Sequence, residues 1–241
     1  MNEQLRYPVV LLDVGGTLIG PRASFGQVYS EVFEEFGVRC DGERFNEAVY
    51  ATWNEMNGTV PAGVDRYAHF EDGEDGYWRR FVGRAVELGT GEMIGDRLAA
   101  AALRRLQERF GGADAWRVFD DVPPAMSALR DLGARLAVVS NWDSRLPGVL
   151  EMLELDGWFE TVVVSHFEGV EKPDARIFER ALERMGVEPG QTLHVGDSPE
   201  LDGAGAAAAG VDFAWVDRRK EPDANAIRDF SALPRIVERG F

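Results

Sequence analysis

Cysteine is nearly absent from this chain. Cys40 stands alone, which excludes an intrachain disulfide and a zinc site built on cysteine. Lysine is almost as scarce: of 26 basic residues only Lys172 and Lys220 are lysine, so positions that need only a positive charge have taken arginine. Lys220, in RRKEPD, reads as a surface charge. Lys172, in GVEKPDARIF, marks a place that asks for a compact ammonium rather than a planar fork. Basic charge is short as a whole, since 42 acidic residues leave a formal net charge of −16. That balance argues against nucleic acid, whose phosphate backbone is bound chiefly through Lys and Arg. No apolar run approaches the ~20 residues of a membrane span, and the opening MNEQLRYP lacks the charged-then-apolar order of a signal peptide. The expectation is a cytoplasmic protein. With 241 residues, 45% of them hydrophobic and 28% charged, the chain has the composition of a folded domain or two.

What is present falls into two patterns. From about residue 21 to 114, segments such as FGQVYSEVFEEFGV, FNEAVYATWNEM, YWRRFVGRAVELG and RLAAAALRRLQERF space apolar residues three and four apart, the period of amphipathic helices. Gly37, Gly89 and Gly111 sit where those helices can end. Before and after this stretch the pattern is different. VVLL, ARLAVVS, TVVVS, TLHVGD and VDFAWV read as buried strands, separated by the helices PPAMSALRDLG, RLPGVLEMLEL, DARIFERALERMG and PELDGAGAAAAG, with a last short helix near DFSALPRIVERG. Such alternation predicts a Rossmann-like parallel sheet with helices on both faces. The expected organisation is a core of residues 1–20 and 115–241 with an all-helical insert over 21–114. The small residues of GAGAAAAG are explained by close packing of that helix on the sheet.

Ligands of an open parallel sheet bind beyond the carboxyl ends of its strands. Four polar clusters fall there: Asp13-Val14-Gly15-Gly16-Thr17 after VVLL, Ser140-Asn141 after ARLAVV, Lys172-Pro173 beyond TVVV, and Gly196-Asp197 through Asp202 after TLHV. Singly each has a plain explanation as a turn, a helix cap or a surface charge. Together they describe phosphoryl transfer. Asp13 and Asp197, with Asp202 behind them, form a carboxylate cluster whose repulsion asks for a hard cation such as Mg²⁺. Gly15 and Gly16 offer backbone amides to an anion, and the hydroxyls of Thr17 and Ser140 can donate to further oxygens. Lys172 balances carboxylates and phosphate, which frees Asp13 to act as a nucleophile.

These motifs resemble those of the haloacid dehalogenase-like superfamily, mostly Mg²⁺-dependent phosphatases. The likeness covers nearly the whole chain. DVGGT is similar to the nucleophile motif, VVSN to the Ser/Thr motif, EKPD to the lysine motif and GDSPELD to the acidic metal motif, while the helical insert is similar to the family's substrate-selecting cap. The resemblance implies catalysis by Asp13 and Lys172, and phosphate binding by Gly16, Thr17, Ser140, Asn141 and Lys172. It implies a Mg²⁺ site from Asp13, the Gly15 carbonyl and Asp197, with Asp202 in support. One departure stands out. The family's usual DxDxT carries a second aspartate as general acid and base, and here that position is Gly15. Three readings follow: a phosphatase restricted to activated phosphates, a binding protein without turnover, or a metal-free 2-haloacid dehalogenase, which would not keep the acidic pair of GDSPELD. Among the histidines, His69 is the insert's one candidate for a replacement acid and reads as an exposed loop residue; His166 and His194 read as structural.

Overall fold

The computed structural model describes residues 5–61, 63–219 and 221–241, so Lys220 lies outside the described residues. The chain divides into two compact units, one ending its first segment at Gly20 and resuming at Val118, the other Pro21–Arg117. The first is built on strands β1 (Val9–Leu12), β4 (Arg135–Ser140), β5 (Thr161–Val164), β6 (Thr192–Gly196) and β7 (Asp212–Trp215), in the order β5-β4-β1-β6-β7. All four pairings are parallel. This is a Rossmann-like α/β fold.

Burial of both faces explains why β1 is an unbroken apolar run. Successive strand residues point to opposite faces, yet Val9, Val10, Leu11 and Leu12 are all buried. On one face Val9, Leu11, Ala137, Val139 and Val163 pack with Ile177, Phe178, Ala181 and Leu182 of helix α8 (Ala175–Met185). Helix α5 (Val122–Asp131) precedes β4, while α6 (Leu146–Met152) follows β4 and α10 (Leu233–Arg239) comes after β7. A four-residue helix, α7 (Ser165–Glu168), closes the loop after β5. Register then decides where chemistry can occur. Leu12 lies opposite Val138 of β4 and Val195 of β6, so the residues that follow these three strands emerge together at one edge.

The segment PELDGAGAAAAG departs from a single α-helix. It begins as a π-turn over Pro199–Gly203, in which the Ser198 carbonyl accepts from the N–H groups of Asp202 (2.7 Å) and Gly203 (3.2 Å), and only then becomes α9 (Ala204–Ala208). The wider turn places Asp202 inward, at 1% exposure. Such turns recur at functional sites. The small residues pack closely on the sheet as expected, where a Cβ on Gly203 would stand 3.0 Å from Cε1 of Phe213 in β7, and also on helix α8, where a Cβ on Gly205 would stand 2.5 Å from Cε2 of Phe178.

The second unit contains α1 (Phe25–Glu35), α2 (Gly42–Asn57), α3 (Gly73–Thr90) and α4 (Asp96–Gly111). Ser24 caps α1 by accepting from the Gln27 N–H, and Asp41 caps α2, each satisfying a donor the helix leaves open. The apolar stripes converge on Phe33, Phe45, Tyr77, Phe81 and Val82. Gly37, at φ 77°, follows α1 as expected, and Gly111 is the last residue of α4. Gly89 does not end its helix. It lies inside α3, where a Cβ would meet the Phe45 ring at 3.0 Å, and the left-handed residue that ends the helix is Gly91 at φ 80°. The two short strands β2 (Ile19–Pro21) and β3 (Trp116–Val118) pair with one another and carry the two chain crossings.

Candidate active site at the carboxyl edge of the sheet

Three aspartates converge at this edge. Asp13 follows β1, Asp197 follows β6 and Asp202 comes from the π-turn; one oxygen of each lies within 4.8 Å of the others. Asp13 is tied to β6 by its own N–H, which donates to the Val195 carbonyl at 2.9 Å. Its Oδ1 accepts from the Ser140 hydroxyl (2.9 Å) and from Lys172 Nζ (2.7 Å). Lys172 is 3% exposed and far from a surface charge. It donates also to Oδ1 of Asp202 (2.6 Å) and to the Val139 carbonyl (3.2 Å), which uses its three N–H groups.

A buried charge must be paired, and the titration shifts follow from that. Burial would lower the Lys172 ammonium, but Asp13 and Asp202 outweigh it and hold the group charged. Burial would likewise raise Asp202, yet Lys172 and His194 carry it well below the carboxylate range. Burial pushes Asp13 up, with Lys172 opposing and Asp202 adding. Asp197 is different. Its surroundings are desolvated, the charges of Asp13 and Asp202 repel it, and its carboxyl is pushed up to about 7. It has no ion pair among the described residues, and unlike Asp13 and Asp202 it is exposed. One ammonium against three carboxylates leaves negative charge uncompensated, and oxygen donors in such a set suit a hard divalent cation.

The glycines do two separate things. Gly16 is left-handed (φ 75°), and a Cβ there would stand 2.3 Å from Oδ2 of Asp197, so side-chain absence is a condition for the cluster. Its N–H, however, donates to the Ile19 carbonyl at 2.9 Å. It is therefore not open to an anion as expected, because the loop folds back on itself to enter β2. At Gly15 a Cβ would meet Cζ3 of Trp142 at 3.1 Å. An indole thus lies where a side chain at position 15 would project.

The remaining expected donors divide. Thr17 is fully buried and its Oγ1 has no hydrogen-bond partner, a rare condition for a hydroxyl. Asn141 spends its carboxamide on the backbone of Lys172, donating to the carbonyl at 2.9 Å and accepting from the N–H at 2.7 Å. It holds the Lys172 loop against the end of β4. His194 is more than structural filling. It lies between the rings of Phe178 and Phe213, and its Nε2 stands 2.8 Å from Oδ1 of Asp202. The Trp215 indole N–H donates to the Asp197 carbonyl at 3.1 Å. Strand alternation that puts His194 in phase with Gly196 is the one sequence signal for the first of these; Trp215 carries none. His69, in the other unit, is exposed. Beside the carboxylates lies a cavity of about 690 Å³ whose wall includes Gly16, Phe119, Asp197, Trp215 and Arg218.

A parallel sheet with this constellation at its carboxyl edge defines a Rossmann-like α/β core with an acidic cluster at its ligand-binding edge. The chain belongs to the haloacid dehalogenase-like hydrolases, whose family model matches residues 7–210. It is 31% identical over 233 residues to mouse haloacid dehalogenase-like hydrolase domain-containing protein 3, covering 95% of this chain and 89% of that one. It is 29% identical over 242 residues to a ribulose-1,5-bisphosphate 5-phosphatase of Halopiger xanaduensis, covering 96% and 94%. Among solved structures it is similar to a HAD phosphatase from Thermococcus onnurineus, with a TM-score of 0.65, 25% identity and coverage of 96% and 99%. Among the described residues no helix is long and apolar enough to cross a membrane.

Proposed function

We propose that this hydrolase is a Mg²⁺-dependent phosphatase acting on a small phosphorylated compound through an aspartyl-phosphate on Asp13. The observation that carries the reading is the gathering of Asp13, Asp197 and Asp202 around a single buried ammonium. Asp13, the Gly15 carbonyl and Asp197 would hold the cation, and Asp202, already bound by Lys172 and His194, would support them. When bound, Mg²⁺ neutralises charge on the phosphoryl oxygens.

The protein's own groups account for the rest. Both side-chain bonds to Asp13 fall on Oδ1, which leaves Oδ2 for attack on phosphorus as the ester P–O bond breaks. Ser140 and Lys172 hold Asp13 by Oδ1, the Lys172 ammonium would set positive charge beside the transferred oxygens, and Asn141 keeps Lys172 in register. Water then cleaves the acyl-phosphate and restores the carboxylate. No carboxyl at position 15 stands ready to protonate the leaving oxygen, so the reading favours leaving groups that need little protonation, such as aryl and acyl phosphates. Pro21–Arg117 would serve as the substrate-selecting cap. A phosphatase name on the Halopiger relative supports a small phosphorylated substrate.

The test is a screen of phosphorylated metabolites and activated aryl phosphates with and without Mg²⁺, with Asp13→Asn as control. Turnover that requires Mg²⁺ and disappears in the variant supports the proposal. Binding of phosphate compounds without turnover would replace it with a non-catalytic binding role, and metal-free release of halide from 2-haloacids with a dehalogenase.

A further inference from the structure

Asp197 stands apart from the two aspartates it faces. Asp13 is held on Oδ1 by Ser140 and Lys172, and Asp202 is held by Lys172, His194 and the Ser198 N–H at 3.1 Å. Among the described residues no side chain donates to the Asp197 carboxylate. The charges of Asp13 and Asp202 repel it. Beside it lies the cavity of about 690 Å³, whose wall it shares with Pro199, Glu200 and Trp215. A carboxylate so placed has both a force and the room to turn away from the cluster.

What restrains it is the backbone. The last rung of β6 on β7 sets Gly196 opposite Trp215, and the Val216 N–H donates to the Gly196 carbonyl at 2.9 Å. Trp215 is fixed in turn through its own carbonyl, which accepts from the Ile227 N–H at 2.8 Å. Beyond that rung no backbone donor among the described residues meets the Asp197 carbonyl. The Trp215 indole N–H takes that place at 3.1 Å, so a side chain extends the strand pairing by one residue. At the carboxylate end the bare Cα of Gly16 makes room, since a Cβ there would stand 2.3 Å from Oδ2 of Asp197. Asp197 is seated by one missing side chain and one indole donor.

We propose that Trp215 is a positioning residue for the cation site: its indole N–H fixes the Asp197 peptide and so keeps a carboxylate without a side-chain partner facing Asp13 and Asp202. This rests on the Mg²⁺-dependent reading and deepens it. An indole has no acceptor to offer a cation, so the effect passes through Asp197, an exposed member of the cluster that lines the cavity. Selectivity is where such a role shows. Mg²⁺ demands near-ideal octahedral geometry, whereas Ca²⁺ accepts flexible surroundings, so a loosened Asp197 costs Mg²⁺ more than Ca²⁺.

The experiment uses the full chain without phosphate compounds. Mg²⁺ and Ca²⁺ affinities are measured by calorimetry at pH 8, and thermal midpoints in chelator, for the parent and for Trp215→Phe, which keeps an aromatic ring and removes the donor. Mg²⁺ is expected to weaken about five-fold, the scale of one hydrogen bond, and Ca²⁺ by a clearly smaller factor. The parent supplies a second measurement that stands if Trp215→Phe does not fold. Of its six indole N–H groups, that of Trp215 is expected to exchange slowly with water and to shift in the ¹H–¹⁵N spectrum as Mg²⁺ is added. A merely structural role lowers the midpoint and weakens both ions by the same factor, and that result overturns the proposal. Parent-level Mg²⁺ affinity in Trp215→Phe, or a Trp215 indole signal that exchanges freely and ignores Mg²⁺, overturns it as well while the metal reading stands. A parent that binds neither ion removes the Mg²⁺-dependent reading, and this proposal with it.

Discussion

Replacing Lys172 by methionine tests whether the site is an electrostatic unit or a set of neighbours. The side chain is 3% exposed and its Nζ lies 2.7 and 2.6 Å from Asp13 and Asp202, both buried. At an effective dielectric near 20 each contact carries a gross attraction of roughly 6 kcal/mol, much of it offset by desolvation of the ions. Removing one partner leaves the other charges buried and unpaired, a loss of about 3–5 kcal/mol in stability. The sign with pH follows from the shifts. In the parent, Lys172 is raised and Asp202 lowered, so the interaction is intact from about pH 4, where free carboxylates titrate, to about pH 10, where free lysine does. In Lys172→Met, Asp13 and Asp202 face each other without a cation, and both take up protons more readily than in the parent. The deficit is therefore largest near pH 8 and smaller at pH 5. Urea denaturation with chelator at both pH values measures it. A deficit under about 1 kcal/mol at pH 8, or one equal at the two pH values, refutes the reasoning.

Four further outcomes follow from the same geometry. Lys172→Arg keeps the charge but places a bulkier planar group between two carboxylates, so tungstate affinity measured by calorimetry falls sharply; parent-level binding would show that charge alone suffices. Because Asp197 is pushed up to about 7, protons compete with Mg²⁺ below that pH, and apparent Mg²⁺ affinity drops about ten-fold per pH unit once Asp197 is largely protonated; titrations in buffers of different ionisation enthalpy should show the released proton, and an affinity flat from pH 8 to 6 contradicts the assignment. The same raised carboxyl makes the metal-free protein lose stability as pH rises from about 4 through about 7, and Mg²⁺ reverses that trend. Gly15→Asp introduces an acid where a Cβ stands 3.1 Å from the Trp142 ring, so the ring must yield by a few tenths of an ångström; since a positioned acid is worth roughly 10²–10⁴-fold, alkyl phosphate turnover should rise more than aryl, and an unchanged alkyl-to-aryl ratio in the folded variant means that another group supplies the proton.

The strands, their parallel direction and the strand-end clusters were legible because each rests on a local rule. VVLL has to be buried on both faces, and a polar residue straight after it has to leave the sheet at its edge. Partnership was less legible. Asp202 could be read as an acid near a metal, but its attachment to His194 depends on a π-turn that neither glycine content nor apolar spacing announces. Gly16 could be read as a phosphate-loop glycine, whereas its N–H returns to Ile19 and its missing side chain makes room for Asp197. Asn141 was visible as a polar residue after a strand, and which backbone its amide would choose was not. Arg218 lay wholly outside the sequence reading, since its partners Thr17 and Asp121 are brought to it only by the closed fold.

Gly15 shows how an absence in sequence becomes a presence in structure. Read along the chain, the missing aspartate is a deletion of function, and a bare glycine would suggest space that water or a substrate group fills. The fold instead sets the Trp142 ring where a Cβ of that residue would stand, two positions along the chain from Ser140, whose hydroxyl donates to Asp13. An indole offers one N–H donor and no acceptor, so it cannot relay a proton as a carboxylate does. Restoring a carboxylate at position 15 adds a titratable group against an aromatic wall, where desolvation raises its pKa. A raised carboxyl is protonated near neutrality, the state a general acid requires, so the same ring that crowds the substitution also tunes it toward the missing role.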